Sequence, residues 1–204
     1  MNKKILGIVL GCIALVAGAV FIIVGVGQMT QKNPTTSPLS KESIEKNLKA
    51  SESSMITYDN KTNGARIQYP KNWEKKETEN GGVAFQTFSG VVNVRFVSDD
   101  FTGKKETVTL KDYSDLLMKQ GVEEAKKQNV TIMAVNDSDV AIAGLPGHEW
   151  AYTVSIGDVH GFGMQAWTVK NNRSYVLTYT ASKDLYETFL PVFKKMLTSF
   201  AITQ

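Results

Sequence analysis

The chain has 204 residues, and its 23 Lys and Arg against 20 Asp and Glu give a net charge of +3. The excess lies in residues 1–54, which hold six lysines and three acidic residues, so residues 55–204 carry 17 charges of each sign. A formally neutral domain offers no basic face for phosphates, and we expect no binding to nucleic acid. The single cysteine, Cys12, excludes an internal disulfide.

An uncharged apolar run covers residues 5–26, directly after Lys3 and Lys4. As a helix it spans roughly 33 Å at about 1.5 Å per residue, which is enough to cross the hydrocarbon core of a bilayer. We therefore predict a single-pass anchor within residues 1–27. The lysines prefer the cytoplasmic side, so the N-terminus is expected inside and the C-terminal domain outside the cell membrane.

Two other interpretations of this segment remain open. A cleaved secretory signal needs a shorter apolar core and a small-x-small site, which Val24-Gly25-Val26-Gly27 fits poorly. A lipoprotein box at Val9-Leu10-Gly11-Cys12 would make Cys12 the acylated N-terminus, although the apolar run continues beyond it. Each interpretation delivers the domain outside the cytoplasm. Gly7 and Gly11 also form a small-residue seam through which two anchor helices could dimerise.

Residues 28–54 are polar and contain Pro34 and Pro38, which predicts a stalk or linker. Within it, residues 40–50 could form a short helix capped by Ser40, with only Ile44 and Leu48 to pack. Alternation of apolar and polar residues begins at residue 55 and predicts half-buried strands. Those strands are expected at 56–58, 65–69, 83–88 and 91–97, the last two joined as a hairpin.

A helix is predicted over residues 110–128, because Thr109 is a good N-cap and Asp112 stands at the third helical position. Two short strands are expected after it, at 130–135 and 139–143. The apolar side chains that the helix would bury are Leu110, Tyr113, Leu116 and Leu117.

The C-terminal third predicts three antiparallel strands at 148–156, 160–169 and 173–180. Their turns are expected at residues 157–159 and at Asn171-Asn172. Asparagine tolerates the positive φ that a two-residue hairpin turn requires. Pairing Tyr152 with Met164 is favoured, since a slip of one residue would place Tyr152 opposite Gly163. In that register one face collects Trp150, Tyr152, Val154, Phe162, Met164, Ala166, Tyr175, Leu177 and Tyr179, while Trp167, Val169 and Val176 point the other way.

A closing helix is predicted after Ser182, and Pro191 should either kink it or begin a second helix. Two helices packed on a mostly antiparallel, meandering sheet give an α+β sandwich for residues 55–204. The side chains at helical spacing in the closing helix are Tyr186, Phe189, Leu190, Phe193, Met196, Leu197 and Phe200.

Four local strings, together with the order of the elements, resemble the PsbP-like superfamily. The resemblance covers nearly all of residues 55–204 and implies a PsbP-like α/β/α sandwich of the kind found in bacterial membrane-anchored PsbP-related domains. The superfamily members of known role act chiefly by binding proteins, so the resemblance also implies a binding function. It names no partner. The strings are Tyr69-Pro70-Lys71-Asn72-Trp73, Ile142-Ala143-Gly144-Leu145-Pro146-Gly147-His148-Glu149, Tyr175-Val176-Leu177-Thr178-Tyr179-Thr180-Ala181 and Ser199-Phe200.

The sequence offers little for catalysis or metal binding. Its two histidines, His148 and His160, are predicted roughly 27 Å apart along the sheet, too far to share an ion; one histidine with Glu149 or Asp158 is the remaining alternative. There is no Gly-x-Ser-x-Gly elbow, His-Glu-x-x-His motif or phosphate-binding loop. We therefore assign no catalytic residue, cofactor or metal.

Three functions remain open: a non-catalytic module that contacts an unknown protein partner at the cell surface, a carrier or sensor of a hydrophobic ligand, and an unrecognised hydrolase, which is the least expected. The hydrophobic-ligand hypothesis would use Trp150, Phe162, Met164 and Tyr179 as a pocket lining. For the contact hypothesis, the candidate interaction surface is His148, Glu149, Asp158 and His160, which we expect to be exposed near the tips of the strands.

Overall fold

The computed structural model describes residues 39–78, 81–103 and 107–204. This part of the chain contains three α-helices and ten strands, and a short 3₁₀ turn at Phe88–Gly90 joins the fourth and fifth strands. In chain order they are α1 (Lys41–Ser53), β1 (Met55–Asn60), β2 (Ala65–Pro70), β3 (Glu74–Glu77), β4 (Val83–Thr87), β5 (Val92–Val97), α2 (Leu110–Lys127), β6 (Thr131–Ile142), β7 (Leu145–Ile156), β8 (Val159–Lys170), β9 (Arg173–Ser182), α3 (Lys183–Thr198) and β10 (Ala201–Ile202).

The strands form two antiparallel sheets. Seven strands make the larger sheet in the order β3-β4-β5-β9-β8-β7-β6, and β1-β2-β10 make the smaller one. Neighbouring strands of the larger sheet are consecutive in the chain except β5 and β9, between which the chain forms α2 and β6–β8. The predicted α+β class with an antiparallel meander is confirmed.

Both faces of the larger sheet are covered, because successive side chains of a strand point to opposite faces. One face packs against α3, and Leu177 and Tyr179 of β9 lie there beside Phe189 and Phe193 of the helix. The other face packs against α2. There Trp150, Tyr152, Val154, Trp167 and Val176 of the sheet meet Tyr113, Leu117 and Ala125 of the helix.

Local sequence signals placed α2 well. The Thr109 hydroxyl accepts a hydrogen bond from the Asp112 backbone N–H (3.1 Å), and the Asp112 carboxylate accepts one from the Thr109 N–H (3.3 Å). This reciprocal cap satisfies two of the free N–H groups at the helix start. The helix ends where Asn129 adopts a positive φ of 57°. Of the four side chains predicted to be buried, Tyr113 and Leu117 are fully enclosed.

The predicted register between β7 and β8 is wrong by one residue. Tyr152 pairs with Gly163 and Val154 with Gly161, while the turn contains two residues, Gly157 and Asp158, instead of three. The glycine is what makes this pairing favourable, because the Tyr152 ring lies over Gly163. A Cβ at that glycine would be only 2.5 Å from the ring. Trp150, Tyr152 and Val154 therefore face α2, on the opposite side from Met164 and Tyr179.

The second hairpin was predicted correctly. Thr168 pairs with Tyr175, and Asn171 and Asn172 form the two-residue turn with φ of 51° and 58°. A positive φ at both turn residues is the signature of a type I′ turn, and asparagine adopts such φ values readily. This turn also positions the loop before α2, since the Asn172 side-chain oxygen accepts a hydrogen bond from Val108 N–H at 2.8 Å.

Two further segments differ from expectation. The strands predicted at 130–135 and 139–143 are one strand, β6, in which the register shifts between Ala134 and Asn136. That shift is a bulge at Val135, and it disguises the strand because it breaks the alternation of polar and apolar residues. Pro191 lies within a single helix, α3, so no second helix begins there.

Helix α1 belongs to the packed structure, although it lies in the segment predicted as a stalk. The Trp73 indole N–H donates to the buried Ser51 hydroxyl at 2.8 Å, and the Asn47 side chain donates to Thr87 at 2.8 Å. Ile44 and Leu48 pack against the core on the α3 side. These hydrogen bonds, together with the two apolar side chains, hold α1 on the domain. The part of the predicted stalk from residue 40 onward is thus packed on the domain.

No helix within the described ranges is long and apolar enough to span a bilayer. The predicted anchor, its glycine seam and the alternative lipid site at Cys12 lie in residues 1–38, outside those ranges.

Candidate interaction surface

The four candidate residues from the sequence do not form one surface. His148 pairs with Trp167, whereas His160 pairs with Ser155, seven residues farther along β7. At about 3.4 Å per residue the two histidines are roughly 24 Å apart, so they cannot share a metal ion. Asp158 and His160 are exposed at the β7–β8 turn, and the His160 Nδ1 lies 2.9 Å from the Ser155 hydroxyl oxygen.

Glu149 was expected to be exposed, and this expectation is wrong. Its side chain is only 9% exposed and faces α3, where Lys194 Nζ donates to Glu149 Oε2 at 2.5 Å. Removing a carboxylate from water is costly unless a partner compensates for the lost hydration, and Lys194 supplies that compensation. Glu149 therefore fastens β7 to α3, and it is not available to a partner protein.

His148 lies against two aspartates of the neighbouring strand. Its Nδ1 is 3.1 Å from Asp139 Oδ1, its Nε2 is 2.5 Å from Asp137 Oδ1, and its ring centre lies 4.9 Å from that of Trp167. The two carboxylates address different ring nitrogens, so the three groups do not converge on one point. Among the residues that the structure describes, no three His, Cys, Asp or Glu side chains are placed to hold a metal ion.

A further exposed surface was not predicted from the sequence. We call it the β6 edge, and it consists of residues 131–139 of β6, the strand at one edge of the larger sheet. Met133 is 60% exposed and Val135 is 63% exposed, more than any other large apolar side chain that the structure describes. Asp137 and Asp139 follow on the same strand. Two carboxylates face one imidazole here, and β6 contains no Lys or Arg, so this end of the β6 edge is negative at neutral pH.

The opposite edge of the same sheet is built differently. Strand β3 consists of Glu74-Lys75-Lys76-Glu77, and all four residues are exposed. Lys75 Nζ lies 3.0 Å from Glu77, and Lys76 Nζ lies 3.3 Å from Glu74. Short, charged edge strands prevent another chain from pairing with a sheet. The molecule thus protects one edge of the sheet with charge and leaves apolar side chains on the other.

The proposed lining of a hydrophobic pocket is divided between two cores. Trp150 faces α2, whereas Met164, Tyr179 and the partly buried Phe162 lie on the α3 side. On that side the Tyr179 ring stacks on Phe193 with centres 5.2 Å apart, and its hydroxyl donates to the Tyr186 carbonyl at 2.8 Å. These four side chains cannot surround one ligand, because the sheet lies between them.

Burial, and not a catalytic environment, accounts for the largest pKa shifts. Desolvation raises the pKa of Tyr186 to about 12, and it raises the pKa values of Tyr152 and Tyr179 further above the ordinary value for a phenol. The phenols are neutral at physiological pH. The Tyr152 hydroxyl has no hydrogen-bond partner in the described part of the chain.

Comparisons with known proteins agree with this fold. The family described as PsbP-like protein matches residues 13–202. The solution structure of cyanobacterial PsbP (CyanoP) from Synechocystis sp. PCC 6803 superimposes with a TM-score of 0.59 at 17% identity, covering 75% of this chain and 93% of that chain. No curated protein sequence matches.

Two other solved structures are also similar. A variant of the protein Mog1 gives a TM-score of 0.50 at 7% identity, covering 74% of this chain and 97% of its own. LpqN, described as involved in cell envelope biogenesis of Mycobacterium tuberculosis, gives 0.47 at 14% identity, covering 74% and 91%. The matches to CyanoP and Mog1, at 17% and 7% identity, show a shared fold and no shared partner. Since the family match spans nearly the whole chain, this protein belongs to the PsbP-like protein family.

Proposed function

We propose that this protein is a non-catalytic binding module, held at the outer face of the cell membrane by residues 5–26, that works through contact with another protein. The observation that carries the proposal is the exposure of Met133 and Val135 on an edge strand. Soluble domains rarely leave large apolar side chains in such a position, unless a partner covers them.

The distribution of polar groups supports a binding role over a catalytic one. A catalytic site needs titratable groups that converge on one reacting atom. Here His148 is held by two aspartates, Glu149 is paired with Lys194, and His160 lies at the far end of β7. Each of these groups is engaged in the architecture at its own position.

Contact at the β6 edge is tested by site-specific photocrosslinking in intact membranes. A photoreactive amino acid replaces Met133 in the full-length chain, and Lys76 on β3 is the matched control position. We expect a discrete heavier species from position 133 and none from position 76. Equal labelling at both positions, or no defined product at position 133, would refute the proposal.

The membrane arrangement is tested separately by protease treatment of intact cells. If residues 5–26 hold the domain outside the cytoplasm, added protease should reach sites in residues 39–204 while a cytoplasmic control protein remains whole. The mass of the protein purified from membranes distinguishes the lipoprotein alternative, because only in that case would residues 1–11 be removed and a lipid be attached to Cys12. Full protection of the domain in intact cells would contradict the proposed location.

A further inference from the structure

We propose that the β6 edge binds an extended segment of a partner protein by strand addition. The segment would place apolar side chains beside Met133 and Val135, and a Lys or Arg beside Asp137 and Asp139. This inference rests on the proposed binding function and specifies how the partner is recognised.

The backbone of β6 is prepared for such an addition. Its inner side pairs with β7 from Thr131 to Ile142, and in the described part of the chain no strand lies beyond it. Along an antiparallel edge strand, every second residue directs its N–H and C=O groups outward. An extended peptide can pair with that row, and main-chain hydrogen bonds then supply affinity without regard to sequence.

The features that normally block an edge are confined to the later half of β6. Residues 131–135 contain no charge and no proline, whereas Asp137 and Asp139 follow the bulge at Val135. Bulges and charged side chains both discourage pairing with another chain. The first half of the strand therefore stays open to an added strand, and the second half selects which strand is accepted.

The bulge also divides the two recognition elements between the faces of the sheet. Met133 lies opposite Thr153, on the face covered by α3, while Asp137 lies opposite Trp150, on the face covered by α2. A bound strand alternates its side chains between those faces. The partner segment must therefore be apolar on one face and basic on the other, over the roughly 20 Å that separate Met133 from Asp139 at about 3.4 Å per residue.

Charge favours a basic partner over a second copy of this chain. The β6 strand of a second copy offers no Lys or Arg to Asp137 and Asp139. A Lys or Arg from a different protein would be attracted to these carboxylates.

Defined peptides test this inference on the full-length protein in detergent. The probe is a labelled peptide, Thr-Val-Lys-Val-Lys-Val-Thr, and its binding is followed by fluorescence anisotropy. Replacing both lysines of the peptide with glutamates should weaken binding roughly tenfold. Two peptides methylated on alternate amide nitrogens, one at the valines and one at the lysines, should differ: binding should be abolished only in the peptide that has lost the N–H groups facing β6. Amide exchange should slow in residues 131–139 and remain unchanged in β3.

Protein variants identify the site. Val135→Lys should abolish peptide binding, while Ile56→Lys, on the edge of the smaller sheet, should leave it unchanged. In Asp137→Asn with Asp139→Asn, the two peptides should bind equally. Strand addition would be overturned if the lysine peptide failed to bind, or if it bound the Val135→Lys variant as tightly as the unaltered protein. It would also be overturned if the protein formed a dimer that Val135→Lys disrupts. If photocrosslinks at position 133 persist in those cases, the proposed binding function stands and only this mode of recognition fails.

Discussion

Removing one buried hydroxyl should stabilise this protein, and removing another should destabilise it. Tyr152 is 0% exposed and its hydroxyl has no hydrogen-bond partner in the described part of the chain. A buried polar group left without a partner costs about 1–3 kcal/mol, so Tyr152→Phe should increase the free energy of unfolding by about 1 kcal/mol once the small void is allowed for.

Tyr179 is the matched comparison, because it is equally buried but donates to the Tyr186 carbonyl at 2.8 Å. Tyr179→Phe loses that hydrogen bond and should reduce the free energy of unfolding by about 1 kcal/mol. The two variants should therefore differ by roughly 2 kcal/mol, or about 4–8 °C in Tm for a chain of this size.

Urea unfolding of residues 39–204, followed by tryptophan fluorescence, measures both effects. Near-ultraviolet circular dichroism should be run in parallel to verify that each variant keeps its aromatic packing. If Tyr152→Phe is as destabilising as Tyr179→Phe, the hydroxyl of Tyr152 has a partner after all, and the argument from the unpaired group is refuted.

Three further outcomes follow from the packing. Gly163→Ala should destabilise the domain by about 1–3 kcal/mol in the same urea assay, because its Cβ would lie 2.5 Å from the Tyr152 ring; no loss would mean that the ring moves freely. Ser51→Ala should lower the free energy of unfolding by about 1–2 kcal/mol and shift the Trp73 fluorescence, because the indole N–H loses its hydrogen-bond acceptor. An unchanged fluorescence spectrum would contradict this contact between α1 and the core. Because burial raises the pKa of Tyr186 to about 12, against about 10 when unfolded, the stabilisation it provides is complete below pH 10 and declines as the pH rises beyond it. Phenolate absorbance should therefore show that not all tyrosines ionise near pH 10, and ionisation of every tyrosine there in the folded protein would contradict the burial.

Local rules predicted the elements whose causes are local. The cap formed by Thr109 and Asp112 and the turn at Asn171-Asn172 depend on a few consecutive residues, and both were placed correctly from the sequence. The register of β7 against β8 was not, because counting buried apolar area treats a glycine opposite Tyr152 as a lost contact. In the folded sheet the ring fills the space above Gly163, and that contact replaces the missing side chain.

The candidate surface was harder to predict because it depends on residues distant in sequence. Glu149 was expected at the surface because acidic side chains are seldom buried, and its partner, Lys194, comes from the last helix. Met133 and Val135 resemble an ordinary half-buried strand until the order of the sheet is known. No pattern within residues 131–135 tells that this strand, and not one of its neighbours, is the outermost.

The unequal edges of the larger sheet limit how many molecules can assemble through it. Fibrous aggregates grow when each subunit offers two compatible ends, so that every addition creates the site for the next. Here the short β3 strand disfavours pairing, since an incoming strand would have to remove the four charged side chains of Glu74 to Glu77 from water. Among the described strands, β6 is then the one edge of this sheet that stays open to a further strand. Once a partner occupies it, the expected product is a discrete, finite complex and not a polymer.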